Sequence, residues 1–374
     1  MNDSKKLAVQ NIHGRGALEN PVGRFEKLTL GLDEECVQNQ HDLNLDEFAT
    51  EDIRIEKRLP TQIFRDPARR IISTNDSPDL CMDTTLNPYR GCEHGCIYCY
   101  ARPTHEYLGL SAGLDFETKI FAKTDASELL KQKLSAKSWQ PRMLMLSGVT
   151  DPYQPIERQM KITRGCLEVL LAFRNPAGII TKNQLVTRDM DIFMQMAERN
   201  LIMVNLSITT IDKKIARLME PRASQPKLRL HAVEQLAKAG VPVGIMIGPV
   251  VPGLTDHEIP NILEAAANAG ARNAGYTMVR LPYGVKDLFQ TWVTEHFPDR
   301  AQKILNRIRS MRDGKLNDPN FNTRMRGEGF FAEQIAQIFK KYKKIYGLDR
   351  GWPPLSTAHF CRNAMSGQLE LFNN

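Results

Sequence analysis

Between residues 82 and 294 the chain repeats one rhythm, a short apolar run followed by an amphipathic stretch, and no other feature limits its fold so strongly. The apolar runs lie at 82–86, 142–148, 178–181, 202–209, 241–247 and 274–279. Helical periodicity follows them at 126–136, 163–172, 189–199, 213–219 with 227–239, 258–267 and 285–294. Runs such as Met143-Leu-Met-Leu-Ser147 and Val243-Gly-Ile-Met-Ile-Gly248 are apolar on both faces, as buried parallel strands are. Right-handed βα crossovers curl such strands into a barrel or part of one. The expected fold is α/β, a partial (β/α)6 TIM-like barrel. An irregular N-terminal extension is expected over 1–75, the barrel over 76–296, a helical C-terminal extension over 297–350 and a tail over 351–374. A chain of 374 residues, 42% hydrophobic, suffices for one large domain with additions rather than two equal domains.

Three of the seven cysteines fall just after the first run, in Asn87-Pro-Tyr-Arg-Gly-Cys92-Glu-His-Gly-Cys96-Ile-Tyr-Cys99-Tyr-Ala-Arg102. Gly91 and Gly95 let the backbone curl so that the sulfurs converge. The spacing leaves four readings open. One is chance clustering. One is a Cys3His zinc site using His94 or His105, since structural zinc wants four protein ligands. One is an electron-transfer cluster, which normally takes four cysteines. The fourth is a [4Fe–4S] cluster with three protein ligands and one iron left open for a substrate or cofactor.

Cys92-x3-Cys96-x2-Cys99, with aromatic Tyr98 before the last cysteine, resembles the signature of the radical S-adenosylmethionine (SAM) superfamily. In that family the open iron chelates SAM, and an electron from the cluster cleaves a carbon–sulfur bond to release a 5′-deoxyadenosyl radical. The wider pattern Asn-Pro-Tyr-Arg-Gly-Cys…Tyr-Cys-Tyr-Ala-Arg is similar to the branch related to spore photoproduct lyase, and to an uncharacterised bacterial group within it. The resemblance spans roughly 76–350. It implies a [4Fe–4S] cluster on Cys92, Cys96 and Cys99, SAM as cosubstrate, and a flavodoxin- or ferredoxin-type electron donor. It implies hydrogen abstraction from a substrate, with damaged DNA and lyase-like repair as the first reading. Modification of tRNA, a peptide or a small metabolite is the alternative. A zinc-stapled binding module is the non-enzyme alternative, and six βα units argue against it.

The resemblance also places SAM contacts at the C-terminal ends of the strands, where barrels carry their working residues. The second strand ends in Ser147-Gly148-Val-Thr150-Asp151, where the family binds the SAM amino group through backbone carbonyls. Gly148, Thr150 and Asp151 are the candidates there, against a plain turn with an Asx cap. Tyr153, Gln154 and Glu157 would face the substrate mouth. Lys182, ending the third strand, suits the SAM carboxylate as a point charge on a flexible stem. Ser207 ends the fourth strand, where its hydroxyl serves the ribose or carboxylate, or else its own backbone. Gly248 closes the half-matched Gly-x-Ile-x-Gly run that lets adenine approach. Tyr98 would lie near the adenine through its backbone, and the sixth strand ends with Tyr276, Arg280 and Leu281. No residue is assigned as the catalytic hydrogen donor.

The net charge of +7 suits a nucleic-acid partner as well as an ordinary enzyme. Arg324, Arg326, Lys340, Lys341, Lys343 and Lys344 would hold phosphates or form a solvated face. Arg15 and Arg24 read as surface residues on the extension. Cys36, Cys81, Cys166 and Cys361 read as free thiols, with Cys166 in the core. No leader or membrane span is visible, so the expected location is cytoplasmic. The folded body should end at Pro353-Pro354. Beyond it, Gln368-Leu-Glu-Leu371-Phe372 resembles the peptide by which bacterial repair proteins dock on the replicative sliding clamp. Gln368, Leu371 and Phe372 would make that contact.

Overall fold

The structure, a computed structural model, describes residues 15–18, 20, 21, 24, 59–80 and 82–364. Among the described residues ten strands lie in chain order: β1 (Gln62–Arg65), β2 (Ile72–Thr74), β3 (Thr84–Leu86), β4 (Tyr89–Arg90), β5 (Lys119–Ala122), β6 (Leu144–Leu146), β7 (Ala177–Thr181), β8 (Ile202–Ser207), β9 (Val243–Val250) and β10 (Asn273–Met278). Seven form one sheet in the order β10-β9-β8-β7-β6-β3-β2. Its six strands from β3 to β10 run parallel and stand in the order of the sequence. Only β2 pairs antiparallel, with β3. Each crossover therefore leads to the neighbouring strand, which makes the partial (β/α)6 barrel that the rhythm implies.

Burial explains the apolar runs. Every residue of β6 and β8 is buried. Helices cover the outer side, each with one apolar face inward. Ile162–Phe173 buries Leu167, Leu170 and Phe173. Pro226–Lys238 buries Ala232, Val233 and Leu236, and Ile259–Asn268 buries Ile262, Leu263 and Ala266. Each large side chain so buried stabilises the fold by about 1.5–3 kcal/mol. Asp212 caps Lys213–Met219 by accepting from the amides of Lys214 and Ile215 at 2.7 and 3.0 Å, a contact of about 1 kcal/mol. Cys166 is fully buried in this core.

Three departures matter. The N-terminal extension is not irregular throughout: β1 joins a second sheet, ordered β1-β5-β4, while β2 edges the barrel. The helices Val285–His296 and Pro298–Ser310 pack together around Trp292, Ile304 and Ile308 as a second core, and Phe330–Ile345 lies on Ile259–Asn268. The chain also does not leave the body at Pro353-Pro354. The amide of Ser356 donates to Asn200 at 2.9 Å and that of Cys361 to Phe173 at 2.9 Å. Arg362 donates to the carbonyls of Ala136 and Trp139. Backbone acceptors left at helix and loop ends thus bind this segment down. Gln368, Leu371 and Phe372, with Cys36 and Cys81, lie outside the described residues. Among the described residues no helix is long and apolar enough to cross a membrane.

Candidate active site at the cysteine loop

The cysteine loop leaves β4 at the C-terminal side of β3 and is fixed by one buried cation. Arg102 donates from Nε to the carbonyl of Cys96 at 2.9 Å and from Nη2 to that of Gly95 at 3.1 Å. Its Nη1 reaches the carbonyls of Ala112 and Gly113 at 3.1 and 3.0 Å. The charge is balanced by Glu117 at 2.6 Å, with neither side chain exposed. Glu117 in turn accepts the amides of Arg15, Gly16 and Ala17 at 2.8, 3.0 and 2.8 Å. The N-terminal segment therefore docks on the loop, and a Cβ at Gly16 would overlap the carbonyl of Gly95. Gly95 has φ +66°, and a side chain there would meet Arg15.

Arg15 is not a surface residue. Its side chain is 5% exposed, donates to the carbonyl of Glu117 and to Thr61 Oγ1, and lies 3.8 Å from Glu93. Burial, then repulsion from Arg222, lowers its pKa to about 10. Arg24 is engaged too, 2.7 Å from Glu106 and over the ring of Tyr283.

Cys92 and Cys96 are buried and Cys99 half-buried. Burial pushes all three thiols up, and Cys92 is raised further by Asp151 and by its two companions, so the sulfurs share one electrostatic site. Three such thiols ionise when a metal supplies the counter-charge. The nearby imidazoles serve elsewhere. His94 Nδ1 lies 3.4 Å from Asp151 and its Nε2 3.5 Å from Asn183. His105 Nε2 meets the carbonyl of Lys119 at 2.9 Å, and its ring packs on Phe116 and Phe121. Among the described residues no three His, Cys, Asp or Glu side chains are gathered as for a single metal ion; with both imidazoles engaged, three sulfurs remain, the number a [4Fe–4S] cluster with one open iron would take from the protein.

Beside the loop, Glu220 gathers the candidates that sequence had scattered. It is fully buried and follows the helix Lys213–Met219. Its Oε1 accepts from Tyr98 Oη, from Thr209 Oγ1 at 2.7 Å, and lies 3.2 Å from Lys182 Nζ. Arg229 holds Oε2. Burial alone would raise this carboxyl, yet Arg229, Lys182 and the two hydroxyls hold it far below the usual range. Lys182 Nζ also donates to the carbonyl of Gly248 at 2.8 Å and stands 5.6 Å from the centre of the Tyr98 ring. Tyr98, Lys182, Thr209 and Gly248 therefore meet at one point. Ser207 is adjacent and buried, with its carbonyl accepting from Arg229 at 2.8 Å.

Other candidates are spent on structure. Asp151 accepts from the amide of Tyr153 at 2.8 Å, from Thr181 Oγ1 at 2.7 Å and from the amide of Lys182 at 2.7 Å. Burial raises its pKa, but His94 and these donors win and lower it. The Thr150 hydroxyl donates to the carbonyl of Tyr89 at 2.9 Å. At Gly148 (φ +109°, after Ser147 at +124°) the carbonyl accepts from Tyr100 Oη at 2.6 Å. Tyr153, Gln154 and Glu157 do not face the mouth. Tyr153 binds Asp189 at 2.9 Å, Gln154 clips the loop at Glu93 and Gly91, and Glu157 takes Tyr89, Thr163 and Arg188. All three are fully buried, because the chain turns into the helix Glu157–Met160 there. Of the β10 trio, Tyr276 packs on Phe339 and Leu281 is in the core, leaving Arg280 beside Tyr100 at 5.7 Å. In the extension Arg324 pairs with Asp79 and Lys343 with the carbonyl of Ala274, while Lys340, Lys341 and Lys344 stay exposed.

Comparison with known proteins agrees with this geometry. The sequence model of the Radical SAM superfamily matches residues 86–266. An uncharacterised protein of Mycobacterium tuberculosis is 31% identical over 277 residues, covering 73% of this chain and 78% of its own length. The radical SAM Nα-GlyT isomerase of Pseudomonas phage M6 is 21% identical over 307 residues, covering 80% of this chain and 62% of its own. Spore photoproduct lyase complexed with dinucleoside spore photoproduct has the same fold, with TM-score 0.55 at 15% identity over 76% of this chain and 79% of that one.

Proposed function

The chain belongs to the radical SAM superfamily, related to spore photoproduct lyase, and on that premise we propose that it is a lyase-like repair enzyme acting on damaged DNA. When bound, the cluster and SAM would supply the radical chemistry of hydrogen abstraction from the substrate. The protein's part is to bind and orient. Cys92, Cys96 and Cys99 would hold the cluster. Lys182, kept in place by Glu220, would meet the SAM carboxylate, and the carbonyls of Gly148 and Gly248 with the Ser207 hydroxyl would receive its polar groups. Tyr98 would border the adenine through its backbone. Thr150 and Asp151 act from behind, by fixing the turn that presents Gly148. A flavodoxin- or ferredoxin-type protein supplies the electron.

The observation that carries this reading is the meeting of Lys182, Tyr98 and Gly248 beside the loop of Cys92, Cys96 and Cys99, at the C-terminal ends of the six parallel strands. The DNA substrate is supported by the fold shared with an enzyme solved around a dinucleoside photoproduct, and by the exposed Lys340, Lys341 and Lys344. A lesion must leave its stack to reach such a mouth. The C-terminal peptide Gln368-Leu-Glu-Leu371-Phe372 would bring the enzyme to the sliding clamp and so to newly copied DNA.

The test is anaerobic reconstitution followed by 5′-deoxyadenosine assay with different substrates. The wild type should carry about four irons, and Cys92→Ala, Cys96→Ala or Cys99→Ala should lose both iron and product. Ultraviolet-irradiated DNA should raise turnover while intact DNA does not. Stimulation by tRNA or a peptide pool alone would move the substrate assignment away from DNA.

A further inference from the structure

Two guanidinium groups past the end of β10 lack the partners that burial normally requires. Arg312 is 4% exposed. Its Nη2 donates to the carbonyls of Val279 and Arg324 at 2.6 and 3.1 Å. Its Nε and Nη1 are buried with nothing to donate to. Arg280 is similar: Nη1 points at the sulfur of Met325 at 3.6 Å, and Nε is buried and unpartnered. Burial lowers the pKa of both, Arg312 to about 10, and Arg324 lowers Arg280 further. The nearby carboxylates are engaged elsewhere. Asp79 accepts from Arg324 and from the amide of Asn322, and Asp318 from Thr323 and the amide of Asn320.

A buried charge is costly unless it is paired, and here Arg280 acts on Arg312 as a like charge while the carboxylates that act on them, Asp79 and Asp318, are bonded to other donors. The two arginines stand at the active end of the barrel, where Arg280 lies over the ring of Tyr100, the residue after Cys99. Cations continue back along β10, which is the sheet's last strand: Arg326 sits 4.1 Å from the Tyr276 ring, and Lys343 is 2.7 Å from the carbonyl of Ala274. A row of cations fits a ligand with repeated negative charge better than one carrying a single carboxylate. Guanidinium forks match the two free oxygens of a phosphodiester.

We propose that Arg280 and Arg312 form a seat for one backbone phosphate of the nucleic-acid substrate, fixing the strand beside Tyr100. This rests on the DNA reading above and adds the point of attachment. The seat positions substrate and does no chemistry on it.

The test uses the cluster-loaded enzyme and a single-stranded oligonucleotide, with binding followed by anisotropy from low to high salt. Each phosphate contact contributes about −0.7 to the slope of log K against log salt for single strands. Arg280→Gln should flatten the slope by about that amount and weaken binding about tenfold at low salt. Arg280→Lys should regain the slope but not the full affinity. Arg312→Gln should behave like Arg280→Gln; its thermal melt shows whether it folds, and Arg280→Gln decides alone if it does not. A wild-type slope in Arg280→Gln overturns the seat and leaves the DNA reading standing. No binding by the wild type to any oligonucleotide overturns both. Competition by a carboxylate peptide but not by an oligonucleotide overturns the phosphate assignment.

Discussion

Arg102 and Glu117 meet at 2.6 Å with no exposure of either side chain, and the shape of the cysteine loop depends on that pair. Arg102 spends its remaining donors on four loop carbonyls, and Glu117 its remaining lone pairs on the amides of residues 15–17. Removing one member of a buried pair costs about 3–5 kcal/mol, because the other is left charged and unpaired. Glu117→Gln should therefore melt earlier and bind less iron after reconstitution. Arg102→Lys keeps the charge but loses the planar fork, so it should also lose iron. Wild-type iron content in both variants would show that the loop is fixed by something else.

Lys182 has two partners inside the protein, Glu220 at 3.2 Å and the carbonyl of Gly248 at 2.8 Å. Lys182→Met should raise the SAM concentration needed for half-maximal 5′-deoxyadenosine formation about tenfold, the scale of one charge-assisted hydrogen bond. The protein should still fold, since Arg229 remains to balance Glu220. Glu220→Gln should do more damage, because it leaves Arg229 buried without a counter-charge. Unchanged SAM dependence in Lys182→Met would remove the carboxylate role.

His105 gives a pH signature. Burial lowers its pKa from 6.5 to about 4, and its Nδ1 has no partner. Between those values the unfolded chain takes a proton that the native state refuses. Stability from this residue is therefore complete above pH 6.5 and lost as pH falls toward 4, by about 3 kcal/mol in all. Urea titrations at pH 7 and pH 5 should show the fall, and His105→Leu, which suits the pocket between Phe116 and Phe121, should reduce it. The same pH dependence in wild type and variant would assign the effect to other groups.

The C-terminal peptide can be tested with the purified bacterial clamp. Leu371 and Phe372 would fill an apolar pocket, and so short a peptide should bind with an affinity of about micromolar. Leu371→Ala with Phe372→Ala should abolish binding while leaving iron content alone. Equal binding by intact and doubly substituted protein removes the docking role.

The barrel was legible because a strand buried on both faces writes its position in consecutive apolar residues, as in β6 and β8. The cysteines were legible because ligand spacing is a local constraint. β5 was not, since Lys119–Ala122 is four residues long and follows the helix Leu114–Thr118 without a turn signal. The organising carboxylates were hidden for a different reason. Glu117, within a short helix, and Glu220, just after one, resemble any helical glutamate, and Glu220 meets Tyr98 from 122 positions away. Tyr153, Gln154 and Glu157 looked like mouth residues because they follow a strand end and are polar. Their partners, Asp189, Glu93 and Arg188, could be found only in three dimensions. Arg15 misled in the same way, because the cavity that receives it is made by the rest of the fold.

The contact of Gly16 with Gly95 links events that the sequence keeps far apart. Residues 15–17 dock on Glu117, the partner of Arg102, and lie against the backbone of Gly95. A change in the shape of the cysteine loop should therefore be felt at residues 15–17, far from it in sequence. The susceptibility of residues 15–17 to a protease would report, on intact protein, whether that loop had kept its shape.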